Sequence, residues 1–167
     1  MRRQEENTIM KKTAFIQVLA LGVLIFVGSS CKKDEAVVAP VTLYTKLGGI
    51  DAISAVVDKF IGYVAADPNM VRTFTPLLTD VGKGNTARLT LLRNNLIDQI
   101  GEAAGGPLKY KGKDMVTSHK GMNITDVEFN SLVGDLVKAL NDFKVAQADQ
   151  DTLLGVLGGL KSQIVGK

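Results

Sequence analysis

Residues 105–125 read GGPLKYKGKDMVTSHKGMNIT and contain the only histidine of the chain, His119. Met115 precedes this histidine by four residues, so a single helical turn would place both side chains on one face. Three further residues give the pair a mainly apolar frame: Tyr110, Met122 and Ile124. A lone histidine is more often a surface residue than a ligand, although a neutral imidazole beside an apolar cavity is a common axial ligand of haem iron. The segment alone leaves both interpretations open.

On both sides of this segment, apolar residues recur at intervals of three and four, which is the spacing of one helix face. The four stripes are Ile53, Val56, Val57, Phe60, Ile61 and Val64; Leu89, Leu92, Leu96, Ile100 and Ala103; Phe129, Leu132, Val133, Leu136, Val137 and Leu140; and Leu153, Leu157, Leu160 and Ile164. Asp67-Pro68 ends the first helix, and Thr125 with Glu128 forms a capping box before the third. The sequence therefore predicts an all-α domain over residues 42–167, with four main helices and short additional pieces.

Composition excludes several classes of protein. The chain has 167 residues, of which 46% are hydrophobic and 22% charged, so it is neither disordered nor collagen-like. One cysteine and one histidine exclude a disulfide framework and a zinc cluster. The net charge of +3 is small, and four of the basic residues lie in residues 1–30. We therefore expect no nucleic-acid partner, since a duplex binder concentrates roughly 6–10 phosphate contacts on one face.

Residues 1–30 carry basic residues, a 14-residue apolar run at 14–27 and small residues before Cys31. The run is shorter than the ~20 residues of a membrane-spanning helix and has the length of a signal-peptide core. The segment resembles a bacterial lipoprotein signal, which implies acylation of Cys31 and a lipid membrane as partner. Gly28 departs from that pattern, because an apolar residue usually stands three places before the cysteine. An uncleaved anchor and an ordinary secretory signal with a free cysteine are the alternatives.

Three regions follow from this interpretation: a signal peptide at 1–30, a tether at 31–41 that contains Pro40, and a helical domain at 42–167. The short charged run 32–35 resembles a signal that sends lipoproteins to the outer face of the outer membrane. The expected location is therefore that of an exported bacterial lipoprotein in the outer membrane, on its periplasmic or cell-surface face.

The helical domain resembles the group 1 truncated haemoglobins. The matching residues run from the LYTKLGG stretch at 43–49 through Asp67-Pro68 and Phe74 to the pattern GGP-x2-Y-x-G-x2-M-x3-H, which ends at His119. The resemblance implies a two-over-two helical sandwich around haem b, with His119 as the proximal iron ligand. It also implies that Phe74 packs on the porphyrin at the turn after the second helix. Further expected haem contacts are Phe60, Ile61, Tyr110, Met115, Met122, Ile124 and Phe129.

The distal side departs from the family pattern. Most members place a tyrosine directly after the residue that corresponds to Phe60, and its hydroxyl hydrogen-bonds the gas ligand. Here that position is Ile61, which has no donor, and Tyr63 points elsewhere because two residues turn a helix by about 200°. Asn95 and Gln99 on the next long helix are the candidate replacements.

Three functions fit the sequence. The first is a haem-binding globin that binds O2, NO or CO, and that is open to nitric-oxide dioxygenation or peroxide chemistry. The second is a surface lipoprotein that captures or relays haem on a globin frame. The third is a helical interaction module that has lost haem, against which the intact His119 motif argues. No general acid, nucleophile or second redox site is visible, so no catalytic residue is predicted.

Overall fold

The computed structural model describes residues 41–167, so the predicted signal peptide, Cys31 and all but the last residue of the tether lie outside the described residues. The described residues form seven α-helices: α1 Leu43–Lys46, α2 Gly49–Ala66, α3 Val71–Gly82, α4 Ala87–Ala103, α5 Met115–His119, α6 Asp126–Asp142 and α7 Gln147–Gly158. Short 3₁₀ turns follow α2 at Pro68–Met70 and α7 at Lys161–Gln163. Within residues 41–167 no helix is both long and apolar enough to cross a membrane. The all-α prediction is confirmed.

The core is built around α2. Its buried side chains are those of the predicted stripe: Ile53, Val56, Val57, Phe60 and Val64. They pack against α4 and α6, which contribute Ile97, Ile100, Leu136, Ala139 and Leu140. Burying one large aliphatic side chain stabilises a fold by roughly 1.5–3 kcal/mol. Burial of the apolar face of α2 therefore explains why this helix lies at the centre of the core.

Two predicted helix ends are confirmed, the end of α2 and the start of α6. α2 ends at Ala66, and the Asp67 carboxylate then accepts a hydrogen bond of 2.8 Å from the Asn69 amide. The capping box at the start of α6 is complete, since the Thr125 hydroxyl accepts from the Glu128 amide and the Glu128 carboxylate accepts from the Thr125 amide. These local bonds satisfy backbone groups that a helix end leaves unpaired.

The prediction of four main helices is wrong in one respect, because α3 is a further helix of 12 residues. Phe74, predicted at a turn, lies inside it. Pro76 also lies within α3 and removes one backbone hydrogen bond. The helix is held by long-range contacts instead, since Arg72 and the Thr73 hydroxyl both donate to Glu128 on α6. Tertiary contacts therefore stabilise a segment that local propensity does not favour.

The last helix is also shorter than predicted. α7 ends at Gly158, and Leu160 and Ile164 lie beyond it. Two consecutive glycines, Gly158-Gly159, are poor helix formers, which explains the early end. The final residues instead bond to the segment that follows His119: the Gly166 amide donates to the Ile124 carbonyl at 2.9 Å, and the Asn123 amide donates to the Lys167 carbonyl at 2.6 Å.

The glycine pair Gly105-Gly106 lies where the segment that carries His119 packs against the start of the domain. The Tyr44 amide donates to the Ala104 carbonyl at 2.8 Å, and the Tyr44 ring lies directly on Gly106. A Cβ atom at Gly106 would overlap that ring. Gly105 adopts a φ of 75°, a left-handed conformation that glycine reaches without strain. Both glycines are therefore required where α4 leads into the segment that carries His119.

Candidate functional site

His119 is the last residue of the five-residue helix α5, which begins at Met115. The four-residue spacing between the two predicted such a helical turn. The Asp114 carboxylate caps this helix by accepting a 2.9 Å hydrogen bond from the Thr117 amide. The loop before it is fixed by Tyr110, whose hydroxyl donates to the Lys113 carbonyl and whose amide donates to the Glu102 carboxylate, both at 2.9 Å. The same amide bond, together with Lys109, lowers the pKa of Glu102.

The tautomer of the His119 ring follows from a hydrogen bond within α5. Nδ1 lies 2.7 Å from the Met115 carbonyl oxygen, which can only accept, so Nδ1 carries the proton and donates. In the neutral ring, Nε2 then bears the free lone pair. A histidine that binds a metal usually donates its other ring N–H in this way, because the bond fixes both tautomer and ring orientation.

The loop after His119 is tied to α3. Asn123 adopts a φ of 48°, a left-handed conformation that asparagine tolerates better than most residues. The Arg72 guanidinium donates to the Met122 carbonyl at 2.9 Å and to the Asn123 carbonyl at 3.1 Å. The α3 helix therefore holds the backbone immediately after the histidine.

Three neighbouring cavities meet at His119. The main cavity has a volume of about 420 Å³ and lies among α3, α4, α5 and the start of α6. The α2-side cavity, of about 350 Å³, lies among α2, α3 and α4, and a small cavity of about 130 Å³ reaches α7. His119, Leu96 and Leu132 line all three. The main cavity is in the range of pockets that hold small organic ligands and cofactors, about 300–1,000 Å³.

The structure brings the predicted haem contacts together around these cavities. The main cavity is lined by Phe74, Tyr110, Met115, Met122, Ile124 and Phe129. Phe60 lines the α2-side cavity and the small cavity, and Ile61 lines the α2-side cavity. Residues from four separate helices, α2, α3, α5 and α6, and from the loops on either side of α5 thus converge on one histidine.

The candidate distal donors lie in the main cavity. Asn95 and Gln99 both line it, and Gln99 also reaches the small cavity, but neither lines the α2-side cavity. The Gln99 side-chain amide lies 3.6 Å from the Met115 sulfur, on the α5 side of the site. Tyr63 points away, as expected, because its hydroxyl donates to the Asp142 carboxylate at 2.7 Å.

Sequence reasoning missed the contribution of α3. The main cavity is lined beside Phe74 by Thr73 and Leu77 of α3 and by Met70 of the turn before it. The α2-side cavity is lined by Leu77, Leu78 and Val81. The signal was present, since Met70, Phe74, Leu77, Leu78 and Val81 repeat at intervals of four, three, one and three. The C-terminal Ile164 and the residues Leu154, Leu157 and Leu160 were likewise not assigned to the site, although they line the small cavity.

A buried carboxylate at the edge of the main cavity was also missed. Glu128 is only 5% exposed and accepts hydrogen bonds from Arg72 Nη2 at 2.6 Å, Arg72 Nε at 2.9 Å and the Thr73 hydroxyl at 2.8 Å. The amide and hydroxyl of Thr125 donate to it as well. These donors, with Arg72 first, lower the pKa of Glu128 to about 2. The carboxylate is therefore ionised and links α3 to α6 beside the site.

Residues 42–165 match the family model described as bacterial-like globin. The chain is 33% identical over 128 residues to a group 1 truncated haemoglobin of Chlamydomonas moewusii, a match that covers 75% of this chain and 69% of that protein. It is also 33% identical over 131 residues to a group 1 truncated haemoglobin of Tetrahymena pyriformis, which covers 77% of this chain and 98% of that protein.

Solved structures show the same similarity. The truncated haemoglobin of Tetrahymena pyriformis in its Fe(III) form superposes with a TM-score of 0.66 at 28% identity, over 75% of this chain and 99% of that one. The 2/2 haemoglobin of Synechococcus sp. PCC 7002, in the cyanomet state with covalently attached haem, gives a TM-score of 0.59 at 29% identity, over 73% and 94% of the two chains.

Proposed function

Because the chain belongs to the bacterial-like globin family and has its two-over-two all-α fold, we propose that it binds haem b through His119 and takes a diatomic gas as the second ligand. The observation that carries the proposal is the setting of the His119 ring. The hydrogen bond from Nδ1 to Met115 leaves Nε2 with a free lone pair, and the ring stands where three cavities meet.

The described residues fit a haem. The main cavity has the volume of a cofactor site. Most of its lining residues are apolar, and the polar ones include Arg88, Gln99 and Glu128. Haem b is favoured over a c-type haem, because the chain has one cysteine and so lacks the pair that thioether attachment through C-x-x-C-H requires. When bound, the haem supplies an iron centre that takes gaseous ligands.

The protein's own part follows from its geometry. His119 provides the nitrogen ligand, and the Met115 carbonyl holds the proton on the other ring nitrogen. Arg72 fixes the loop after the histidine. Phe74 and Phe129 contribute aromatic surface to the main cavity. No acid, base or nucleophile is needed for reversible binding.

Haem titration of the purified protein tests the proposal. We expect a Soret band that saturates at one haem per chain, and a ferrous protein whose spectrum shifts on addition of CO. A protein that gives no Soret band on supplying haem would contradict the proposal. Transfer of the bound haem to apomyoglobin separates gas binding from haem relay: slow loss is expected for a gas-binding globin, and fast transfer would favour the relay function.

We further propose that Cys31 is acylated and anchors the domain at 42–167 through the tether at 31–41. The support is the sequence pattern before the cysteine. Two or more acyl chains give stable membrane anchoring where a single chain does not.

Replacing Cys31 with serine is expected to move the protein from the membrane fraction to the soluble fraction of a Gram-negative host and to abolish its labelling by a fatty-acid probe. Haem binding by the released protein should be unchanged, because the cysteine lies outside residues 42–167. Ser30→Ala is the matched control beside it. A Cys31→Ser protein that is still labelled and still sediments with membranes would show that another anchor operates.

A further inference from the structure

The Arg72 side chain connects α3 to α6 and to the turn after His119 through four hydrogen bonds. Its Nε and Nη2 atoms donate to the two carboxylate oxygens of Glu128, at 2.9 and 2.6 Å. Nη1 donates to the Met122 carbonyl at 2.9 Å, and Nη2 also donates to the Asn123 carbonyl at 3.1 Å. A guanidinium is a planar fork of five N–H donors, so one side chain can hold a carboxylate and backbone carbonyls together.

The bond to Met122 continues to the histidine. The Met122 amide donates to the His119 carbonyl at 3.0 Å and closes the turn that directly follows α5. His119 is the last residue of α5, and its Nδ1 bond to the Met115 carbonyl lies within this helix. A helix of five residues is marginal by itself. The placement of its last residue therefore depends on what holds the turn.

The turn at 120–123 has little local support of its own. Gly121 and Asn123 adopt φ values of 79° and 48°, and fixing a glycine costs more conformational entropy than fixing any other residue. The Asn123 amide is held by the Lys167 carbonyl at 2.6 Å. Within residues 41–167, Arg72 is the one side chain from outside the turn that bonds to it.

Glu128 holds the guanidinium in place. Arg72 is 55% exposed along its side chain, and an unsupported surface arginine would lose rotamer freedom on binding two carbonyls. Glu128 is buried, and its bonds to Thr125 fix its carboxylate at the start of α6. The Thr73 hydroxyl donates to the same carboxylate at 2.8 Å. One fixed carboxylate therefore determines where α3 presents the arginine to the turn.

Resting on the proposed haem function, we propose that Arg72 is a positioning residue: held by Glu128, it fixes the turn at 120–123 and thereby the orientation of the His119 ring. It acts through the backbone, because Arg72 lines none of the three cavities. Arg72→Lys separates this role from a simple ion pair. A lysine keeps the charge beside Glu128, but its compact ammonium group cannot hold the carboxylate and both carbonyls in the geometry of the fork.

The haem-free protein provides the first test, because its single histidine gives one set of imidazole NMR signals. We expect ¹⁵N shifts of one tautomer, protonated at Nδ1, in the unsubstituted protein and a mixture of both tautomers in Arg72→Gln and Arg72→Lys. Arg93→Gln is the matched control. It breaks an arginine–carboxylate pair of the same kind, with Asp58 at 2.5 and 2.8 Å, away from the turn, and should leave the histidine signals unchanged.

The haem-loaded protein provides the second test. Haem transfer to apomyoglobin should be about tenfold faster in both Arg72 variants, as for loss of an outer partner of a ligating histidine. The iron–histidine stretching band should broaden in both and stay unchanged in Arg93→Gln. Urea unfolding of the haem-free variants separates positioning from stability, since Arg72→Lys should unfold near the midpoint of the unsubstituted protein.

An unchanged histidine spectrum in both Arg72 variants would overturn the positioning role. Haem loss that follows the unfolding midpoint equally in the Arg72 and Arg93 variants would overturn it as well, because the arginine would then act on stability alone. Absence of a Soret band contradicts only the proposed haem function, since the histidine spectrum is measured without haem.

Discussion

Replacing His119 with alanine is expected to lower haem affinity by more than about 100-fold, because loss of an outer partner of a ligating histidine already costs about 10–100-fold. The substitution removes the only imidazole of the chain, whose Nε2 carries a free lone pair, from a residue that lines all three cavities. Titration with haem, followed at the Soret band, measures the affinity. Far-UV circular dichroism of the haem-free protein should be unchanged. His119 ends a helix of only five residues and is not part of the main core, so its replacement leaves that core intact.

Two companion variants identify the cause of the loss. Val116→Ala lies on the same short helix, but its side chain is 44% exposed and lines none of the three cavities, so it should bind haem normally. His119→Gly leaves space for added imidazole, which should restore the Soret band in proportion to its concentration. Wild-type affinity in the His119→Ala protein would show that another side chain ligates the iron, and the assignment of this histidine would then be wrong.

The histidine segment could be predicted from sequence because its signals are local. The four-residue spacing between Met115 and His119, the diglycine at Gly105-Gly106 and the capping box at Thr125 each act within one turn of chain, and all three occur in the structure. The apolar stripes that predict helices such as α2 are local signals as well, because every third or fourth residue lies on the same face of a helix.

The role of α3 could not be predicted in the same way. Pro76 and three threonines weaken its helical pattern, and its stability comes from contacts with Glu128, which lies 55 residues from Thr73. The spacing of charged residues along the sequence does not show which residues pair across the fold, so the contacts of Arg72 and Thr73 with Glu128 could not be predicted. Assignment of the distal residues fails for a related reason, because successive positions on a helix differ by about 100°. Only the structure shows that Leu96 lines all three cavities whereas Asn95 lines the main cavity alone.

Replacing Glu128 with alanine is expected to lower the free energy of unfolding by about 2–3 kcal/mol, because a buried carboxylate is lost and its donors are left without a partner. The Thr73 hydroxyl and the Thr125 amide lose their acceptor, and Arg72 loses the two bonds that connect α3 to α6. Arg72 is more than half exposed and regains water, which keeps the cost below that of a fully buried pair. Urea unfolding of the protein with and without haem measures the change.

The same carboxylate should make the protein acid-sensitive in a defined range. Its pKa is about 2 in the folded protein against an ordinary 4.5, so its stabilisation is present above about pH 4.5 and is lost as the pH falls toward 2. Glu128→Gln should flatten the stability profile in that window. Asp126→Asn is the matched control, since this carboxylate lies in the same first turn of α6 but is 68% exposed in its pair with Lys161, and should cost about 0.5 kcal/mol. Equal losses for Asp126→Asn and Glu128→Ala would contradict the special role of the buried carboxylate, because helix-end charge alone would then explain both.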